Sequence, residues 1–213
     1  MPAAHPTEAR LLVLHTLRLK GFTEAGPVAD STGVPPVEVE AELRAIGAEG
    51  LAQRREGRVS GWSLTPAGRR AHAEEIAAEL EAAGARGTIA EGYRRFLALN
   101  GDMLGVCTDW QMRPAGESQV LNDHADADYD QGVLSRLSAI HDQVLPVTGA
   151  LEASMARFGH YGPRLAAALA RLAAGEREWF TKPVIDSYHT VWFELHEDLL
   201  CTLGIERASE SHP

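Results

Sequence analysis

Glycine and proline divide the first 85 residues of the chain into short segments, and this division restricts the fold more than any other feature of the sequence. Gly21, Gly33 and Gly50 each follow a segment of helical period, where glycine tolerates the left-handed conformation that ends a helix. Prolines stand at the starts of the second and third segments, and their fixed φ angle suits the first turn of a helix. The pattern predicts three short helices, over residues 7–19 with Thr7 as the cap, 27–32 and 37–49.

The spacing of apolar residues changes from helical to extended after residue 50. The helical stripes consist of Leu11, Leu14 and Leu17 in the first segment and of Val39, Leu43 and Ile46 in the third. Residues 51–55 and 61–64 are short extended candidates, and the loop between them contains Gly57, which is typical of a β-hairpin. Thr65 and Pro66 then supply the cap and the first turn of a helix expected to reach residue 83.

The succession of these motifs resembles the winged helix-turn-helix domain of MarR-type and related bacterial transcriptional regulators. The motifs are, in order, Thr32-Gly33-Val34, Val39-x3-Leu43-x2-Ile46, Glu49-Gly50-Leu51, the basic hairpin with Arg54, Arg55, Gly57 and Arg58, and Leu64-Thr65-Pro66-Ala67-Gly68. In that family the recognition helix ends in a Gly-Leu pair and the wing ends in a Leu-Thr-Pro-x-Gly motif. The resemblance covers residues 7–80, about a third of the chain.

The resemblance implies a DNA-binding function for this part of the chain. Three helices and a two-stranded β-wing are expected, with the third helix in the major groove and the wing on phosphates or in the adjacent minor groove. Arg44 would be the basic residue of the recognition helix, and Arg54, Arg55 and Arg58 would neutralise phosphates from the wing. The expected partner is a double-stranded DNA operator, bound by a homodimer whose two-fold symmetry matches a palindromic site.

Glutamates on the presumed recognition helix leave an alternative open. This segment carries Glu38, Glu40, Glu42 and Glu49 but no Lys, Asn, Gln or Ser. Glutamate accepts a hydrogen bond from cytosine N4, yet several carboxylates beside phosphates would repel them. The alternative is a winged-helix accessory protein that binds a protein partner rather than DNA.

Charge is distributed unevenly along the chain, which suggests two domains. Residues 1–72 carry nine Lys and Arg against eight Asp and Glu, a balance of +1, whereas residues 73–213 carry 11 against 22, a balance of −11. We therefore expect a winged-helix DNA-binding domain over residues 1–72 and a helical domain for dimerisation and effector binding over residues 73–213. The total of −10 argues against a protein that coats nucleic acid with its whole surface.

The second part of the chain predicts an all-α helical bundle, so the expected fold class is mainly α. Helices are expected over residues 88–99, 133–158 with a kink at Pro146, 163–174 and 183–203, and a loop is expected over residues 109–130. The last helix carries an apolar stripe of Val184, Tyr188, Trp192, Leu195 and Leu199. Such a stripe suits either the core of a bundle or a dimer seam.

Aromatic residues in the last quarter of the chain predict a small-molecule effector pocket between helices. Trp179, Tyr188 and Trp192 would supply apolar walls, and His189 and Arg164 would supply polar groups. Core packing of the same aromatic side chains is the alternative. A bound effector would act by preferring one of two relative orientations of the wing domains.

No motif for a catalytic nucleophile and no phosphate-binding glycine loop occurs, so an enzyme is not predicted. His189 and His196 lie seven residues apart and would form a divalent-metal site with His141 or His160, but surface or core histidines explain them as well, and neither a metal nor a cofactor is predicted. We expect a cytoplasmic protein without membrane contact. No apolar run approaches the ~20 residues of a membrane span, no secretory signal is visible, and the cysteines are only Cys107 and Cys201.

Overall fold

The structure, a computed structural model, describes residues 3–115 and 118–207. These residues form eight α-helices and two antiparallel sheets of two strands each. The helices are α1 (Ala9–Lys20), α2 (Ala25–Thr32), α3 (Pro36–Ala48), α4 (Pro66–Ala82), α5 (Arg86–Gln111), α6 (Ala127–Ser154), α7 (Tyr161–Ala173) and α8 (Tyr188–Leu203). The strands are β1 (Ala52–Arg55), β2 (Gly61–Leu64), β3 (Met112–Ala115) and β4 (Ser118–Leu121). The described chain is therefore mainly helical, as the sequence predicts, and none of its helices has the length and apolar character needed to cross a membrane.

The first three helices confirm the prediction from the glycine and proline spacing. Gly21 (φ +72°) and Gly33 (φ +71°) end α1 and α2, and Pro36 is the first residue of α3. The prediction that Thr7 caps α1 is wrong, because Glu8 holds the N-cap position without a side-chain hydrogen bond. The Thr7 hydroxyl instead donates to the carboxylate of Glu79 in α4.

Both predicted apolar stripes of this region are buried. They consist of Leu11, Leu14 and Leu17 in α1 and of Val39, Leu43 and Ile46 in α3. Val28 of α2 and Leu64 of β2 belong to the same apolar cluster. Burial of one aliphatic side chain of this size contributes about 1.5–3 kcal/mol, so apolar packing is the main stabilising contribution in this cluster.

The predicted hairpin forms directly after α3, with Ala52 opposite Leu64 and Arg55 opposite Gly61. The connection between α1 and α2 pairs with it through Thr23. The Thr23 N–H donates to the Trp62 carbonyl at 3.1 Å, and the Trp62 N–H donates to the Thr23 carbonyl at 2.7 Å. These two hydrogen bonds fix the hairpin beside the first helices.

The start of α4 lies in direct contact with the end of the α3–β1 connection. Thr65 caps α4 as predicted, because its hydroxyl oxygen accepts from the Gly68 N–H at 3.1 Å. A Cβ atom at Gly68 would lie 1.8 Å from the carbonyl oxygen of Leu51. Only glycine therefore fits at this position.

The chain folds as two compact units, which we call unit 1 and unit 2. Unit 1 contains the described residues of Met1–Ala90 and Glu197–Pro213 together with Glu152–His160, and unit 2 contains Glu91–Leu151 and Tyr161–His196. Residue 72, where the sequence suggests a domain boundary, lies inside α4. The assignment of separate functions to residues 1–72 and 73–213 remains a prediction.

A buried polar network joins the three segments of unit 1. Arg157 donates from Nε to Glu79 at 3.2 Å and from Nη2 to Thr202 at 2.6 Å, and it also forms an ion pair with Asp198. His15 Nε2 lies 3.0 Å from the same Asp198 carboxylate. A buried arginine is stable only with such partners, so the network fixes residue 157 and the end of α8 to α1 and α4.

Residues 109–130 contain regular structure, so the loop predicted there is wrong. The end of α5, the hairpin β3–β4 and the start of α6 occupy this range, apart from residues 116–117, which lie outside the described residues. Polar side chains anchor the hairpin: the Asn122 amide donates to the Trp110 carbonyl at 3.1 Å, and the Tyr129 hydroxyl lies 3.0 Å from the Met112 carbonyl oxygen. The polar composition that favoured a loop therefore serves internal hydrogen bonds.

Three helices of the second half differ from their predicted ranges. α5 continues to Gln111 rather than ending at residue 99, and α6 runs through Pro146 and ends at Ser154. α8 begins at Tyr188 because the Ser187 side chain caps it by accepting from the Thr190 N–H at 3.3 Å. Val184, predicted to start the apolar stripe, precedes the helix and is 81% exposed.

Candidate nucleic-acid interface

The outer surface of α3 is formed by small apolar side chains and one arginine. A helix turns about 100° per residue, so positions 37, 41, 44, 45 and 48 lie opposite the buried stripe of Val39, Leu43 and Ile46. These positions hold Val37, Ala41, Arg44, Ala45 and Ala48, and all five are exposed. Val37 is 75% exposed.

Three of the four glutamates lie on one flank of α3. By the same rotation, Glu38, Glu42 and Glu49 share the flank that faces Arg10 of α1. Arg10 donates two hydrogen bonds to the Glu49 carboxylate, at 2.8 and 2.7 Å. These bonds lower the pKa of Glu49, and Glu49, Glu75 and Glu42 together raise the pKa of Arg10. The acidic flank is therefore partly neutralised within the protein.

Glu40 lies on the opposite flank, which faces the hairpin, and Arg44 lies between this flank and the outer surface. Arg44 of α3 and Arg54 of β1 line the same surface cavity of about 330 Å³, together with Trp62. Each arginine has one exposed ion-pair partner: Arg44 lies 3.4 Å from Glu40, and Arg54 lies 3.3 Å from Glu56. Exposed pairs of this kind contribute at most about 1 kcal/mol. A phosphate group can therefore displace them.

The four arginines predicted to bind DNA do not all lie on one surface. Arg54 stands opposite Trp62 in the hairpin, and Arg55 is the next residue, so its side chain projects from the other face of the sheet. Arg58 lies in the loop between the two strands and is exposed. Neither Arg55 nor Arg58 forms an ion pair within the described residues. The structure thus brings Arg44 and Arg54 together and presents Arg55 and Arg58 separately.

Two of the five residues predicted to line an effector pocket bind other side chains of unit 2. Arg164 binds Asp186 at 2.9 Å and Glu194 at 2.7 Å, which raises the pKa of its guanidinium group. The Trp179 ring lies under the guanidinium of Arg171, whose central carbon is 4.5 Å from the ring centroid.

The other three predicted pocket residues belong to the start of α8. Tyr188 and Trp192 are buried, and the Trp192 indole N–H donates to the Asn100 side-chain oxygen at 3.1 Å. His189 is partly buried, which lowers the pKa of its ring. None of the five predicted residues lines the cavity that the structure shows between α6 and α7.

This cavity has a volume of about 770 Å³ and lies within unit 2. Sequence analysis missed its lining, which includes Asp130 and His141 of α6, Ala166 and Ala170 of α7, and Trp110. Ala166 and Ala170 are four residues apart in the sequence, which places them on one face of a helix. This spacing does not identify a cavity, because exposed helix faces in many proteins show it too.

The histidines considered as metal ligands are not grouped. His141 forms a hydrogen bond with Tyr188, and the His196 ring packs on Phe96 with centroids 5.3 Å apart. Over residues 3–115 and 118–207, no three His, Cys, Asp or Glu side chains lie close enough together to hold a metal ion.

The chain was also compared with known proteins. No protein-family model matches it, and neither curated proteins nor solved structures gave a significant match.

Proposed function

We propose that the chain is a transcriptional regulator that binds double-stranded DNA as a homodimer through a winged helix formed by α1–α3 and the β1–β2 hairpin. The order of elements supports this assignment, because a helix pair is followed at once by an antiparallel hairpin and then by α4. The Thr23–Trp62 pairing supports it too, since it holds the hairpin beside the helices rather than leaving it free.

The observation that carries the proposal is the separation of charges around α3. Arg44 and Arg54 share one surface cavity, which Glu24 and Glu40 also line. Glu38, Glu42 and Glu49 lie on the other flank, where Arg10 pairs with Glu49 and attracts Glu42. The glutamates that argued against DNA binding therefore do not cover the surface next to the hairpin. Glu40 is the one carboxylate of α3 that remains there.

The side chains on the outer surface of α3 suit a major groove. Alanine and other small apolar groups contact the thymine methyl group, and arginine donates two hydrogen bonds to guanine O6 and N7. Ala41, Ala45 and Ala48 also keep the helix narrow, so its backbone can approach the bases closely. We propose that Arg44 reads a guanine and that the alanines border thymines.

The hairpin arginines have a different role in this proposal. Arg55 and Arg58 project from the wing, and Arg54 lies closer to α3, so together they would contact phosphates on both sides of the groove. Phosphate contacts release counterions and make affinity depend on salt concentration.

An electrophoretic mobility shift assay with the DNA upstream of the protein's own gene tests the proposal. We expect Arg44→Ala to weaken binding by about 1–3 kcal/mol, because a base contact is lost. We expect Arg55→Ala combined with Arg58→Ala to lower the slope of log affinity against log salt by about 2, because two phosphate contacts are lost.

Arg171→Ala is the matched control for these variants. Arg171 is an exposed arginine of α7 with an acidic partner five residues away, Glu176, as Arg44 has Glu40 four residues away. It lies outside the surface beside the hairpin and outside α5, so its replacement should leave DNA affinity unchanged. An affinity of the wild type that does not change with salt, or equal affinities for Arg44→Ala and Arg171→Ala, would contradict DNA binding by this surface.

The homodimer of the proposal would form along α5. Leu97 and Leu104 are exposed on this helix, and Gly101 and Gly105 lie beside them, where a Cβ atom would meet nothing within 4 Å. Glycine inside a helix costs about 0.5–1 kcal/mol relative to alanine, and such positions allow another helix to approach closely. A second copy that packs on this surface would cover both leucines.

The alternative function is binding of a protein partner through the same winged helix. The observation that favours it is the exposed apolar surface of Val37 and the α3 alanines, which a partner could cover. A pull-down that recovers a stoichiometric protein partner, together with no DNA binding at low salt, would support this alternative and exclude the regulator.

A further inference from the structure

The cavity of unit 2 is formed by two helices of different character. α7 contributes an apolar wall with Ala166, Leu169 and Ala170, and α6 contributes polar groups that include Ser135 and Ser138. The volume of about 770 Å³ is within the range of sites for small organic molecules. A cavity of this size with one apolar and one polar wall favours an amphipathic ligand.

One end of the cavity holds a buried histidine, His141, whose Nε2 is a hydrogen-bond donor without a partner among the described residues. His141 is 7% exposed, and its Nδ1 lies 3.2 Å from the Tyr188 hydroxyl. Tyr188 is fully buried and its hydroxyl has no other partner in the described chain, so the hydroxyl has to donate its proton to Nδ1. Burial also lowers the pKa of His141, which keeps the ring neutral. The ring proton is therefore on Nε2, which has no partner among the described residues.

The other end of the cavity holds a carboxylate whose charge is already matched. Asp130 accepts from the Asn122 amide at 2.8 Å and lies 2.9 Å from His124 Nδ1. Arg177, which also lines the cavity, has its Nε 4.0 Å from the same carboxylate. The carboxylate and the guanidinium therefore bring no net charge to this end of the cavity.

The cluster around Asp130 is joined by several contacts. His124 has φ +58°, the one positive φ of a non-glycine residue in the described chain, and its N–H donates to the Asn122 side-chain oxygen at 3.1 Å. The His124 ring packs on Trp110, with centroids 4.5 Å apart, and Trp110 also lines the cavity. These contacts place the His124 ring, and the carboxylate beside it, at this end of the cavity.

We propose that the cavity between α6 and α7 binds an elongated, uncharged and mostly apolar organic molecule whose hydrogen-bond acceptor meets Nε2 of His141. Asp130 and His141 are 11 positions apart on α6, which corresponds to about 16 Å along the helix. A molecule of two to four fused or linked rings has this length. Its apolar body lies on the alanines and Leu169 of α7. This binding does not require DNA binding, so it can be tested separately from the proposed regulatory function.

Nile red is the probe for the test, because it is uncharged, elongated and carries a carbonyl acceptor. We expect its fluorescence to rise and its emission to shift to the blue on titration with the full chain, with saturation at one dye per chain. Anionic anilinonaphthalene sulfonate should bind more weakly at this cavity, because Asp130 and Arg177 in its described lining give no net positive charge to attract the sulfonate.

Variants on one helix locate the dye. Ala170→Phe fills the cavity and should weaken Nile red binding about ten-fold or more. Ala167→Phe is the matched control, because Ala167 is exposed on the same helix outside the cavity, and it should leave binding unchanged. His141→Leu, combined with Tyr188→Phe so that no buried hydroxyl is left without a partner, should weaken binding about five-fold relative to Tyr188→Phe alone, through loss of the hydrogen bond from Nε2. Circular dichroism confirms folding of each variant, and the smaller change Ala166→Leu tests the same wall if Ala170→Phe does not fold.

Three results would overturn the inference. The first is no saturable binding of Nile red by the wild type up to the solubility of the dye. The second is equal affinity of the two phenylalanine variants, which would place the dye elsewhere. The third is tighter binding of the sulfonate dye than of Nile red with the same sensitivity to Ala170→Phe, which would show that the site takes anions.

Discussion

At the scale of single residues, His72 shows how burial changes the chemistry of a side chain. The residue is 2% exposed, and its Nε2 lies 2.9 Å from Nδ1 of His15. Burial, with the positive charges of neighbouring groups, lowers the pKa of His72 from 6.5 to about 3. His72 is therefore neutral in the folded protein at every pH at which the protein is ordinarily handled.

This shift predicts that the protein loses stability in mild acid. Between pH 6.5 and about 3 the unfolded chain binds a proton at His72 and the folded chain does not. The contribution of His72 to the free energy of unfolding should therefore fall by about 1.4 kcal/mol for each unit by which the pH is lowered within this range. Urea unfolding at pH 7.5, 6.0 and 5.0 measures this slope.

Burial also lowers the pKa values of His141 and His189, so these histidines add to the same loss of stability in acid. The variant His72→Gln removes the contribution of His72 alone. The slope between pH 6 and pH 5 should be smaller in the variant than in the wild type. Equal slopes would show that His72 is protonated in the folded state. Below about pH 4, the depressed pKa of Asp198 adds a further loss of stability in the same direction.

Candidate site residues are predictable from the sequence only in part. The spacing of Arg44 from the buried stripe identifies it as exposed, and the predicted hairpin places Arg55 and Arg58 on either side of Gly57 near its tip. The sequence does not show that Glu49 binds Arg10, because this contact joins residues 39 positions apart. The lining of the unit 2 cavity is not predictable either, since Ser138 and Ala170 are ordinary residues on their own helices and become a site only when α6 and α7 pack.

At the scale of elements, the contact between α4 and Leu51 determines how the hairpin connects to the next helix. Replacement of Gly68 by alanine places Cβ 1.8 Å from a backbone oxygen, and backbone atoms cannot move aside cheaply. We expect Gly68→Ala to destabilise the protein by about 3 kcal/mol or more, measured by urea unfolding.

The control for this prediction is Gly132→Ala in α6, where a Cβ atom meets nothing within 4 Å. Alanine should stabilise the protein there by about 0.5–1 kcal/mol, because glycine is a poor residue inside a helix. If both variants destabilise equally, close approach at Gly68 is not the cause.

Local signals explain which elements are predictable from the sequence. α1–α3 and the first hairpin are predicted because glycines, prolines and Thr65 mark their ends within the chain itself. The predicted α5 is too short because Gly101 resembles a helix end, although the apolar positions on both sides continue the same face. The hairpin β3–β4 is missed because its stabilising partners, Tyr129 and the Trp110 carbonyl, lie outside the strands.

At the scale of the whole molecule, the proposed homodimer makes a measurable prediction. Leu104 is 54% exposed on α5, and Leu104→Glu would place a charge in the proposed contact between copies. Light scattering should give twice the chain mass of 23.0 kDa for the wild type and a single chain mass for the variant. Leu145→Glu, which changes an exposed leucine of α6, should remain a dimer.

Two outcomes would contradict this dimer. A monomeric wild type at micromolar concentration would exclude it, and a dimer that survives Leu104→Glu would place the contact on another surface. In either case dye binding by the cavity of unit 2 and DNA binding by the surface beside the first hairpin are tested by their own experiments.

The polar network of unit 1 has a consequence for the order in which the protein folds during translation. Its residues up to Ala90 are translated before its other two segments, so Glu79 and His15 receive Arg157 and Asp198 only after about 100 further residues have been translated. At ~5–20 residues per second, this delay is about 5–20 s. During that interval the nascent stretch holds the Glu79 carboxylate and the His15 imidazole without these partners, and its polar network is complete only when both Arg157 and Asp198 have been added.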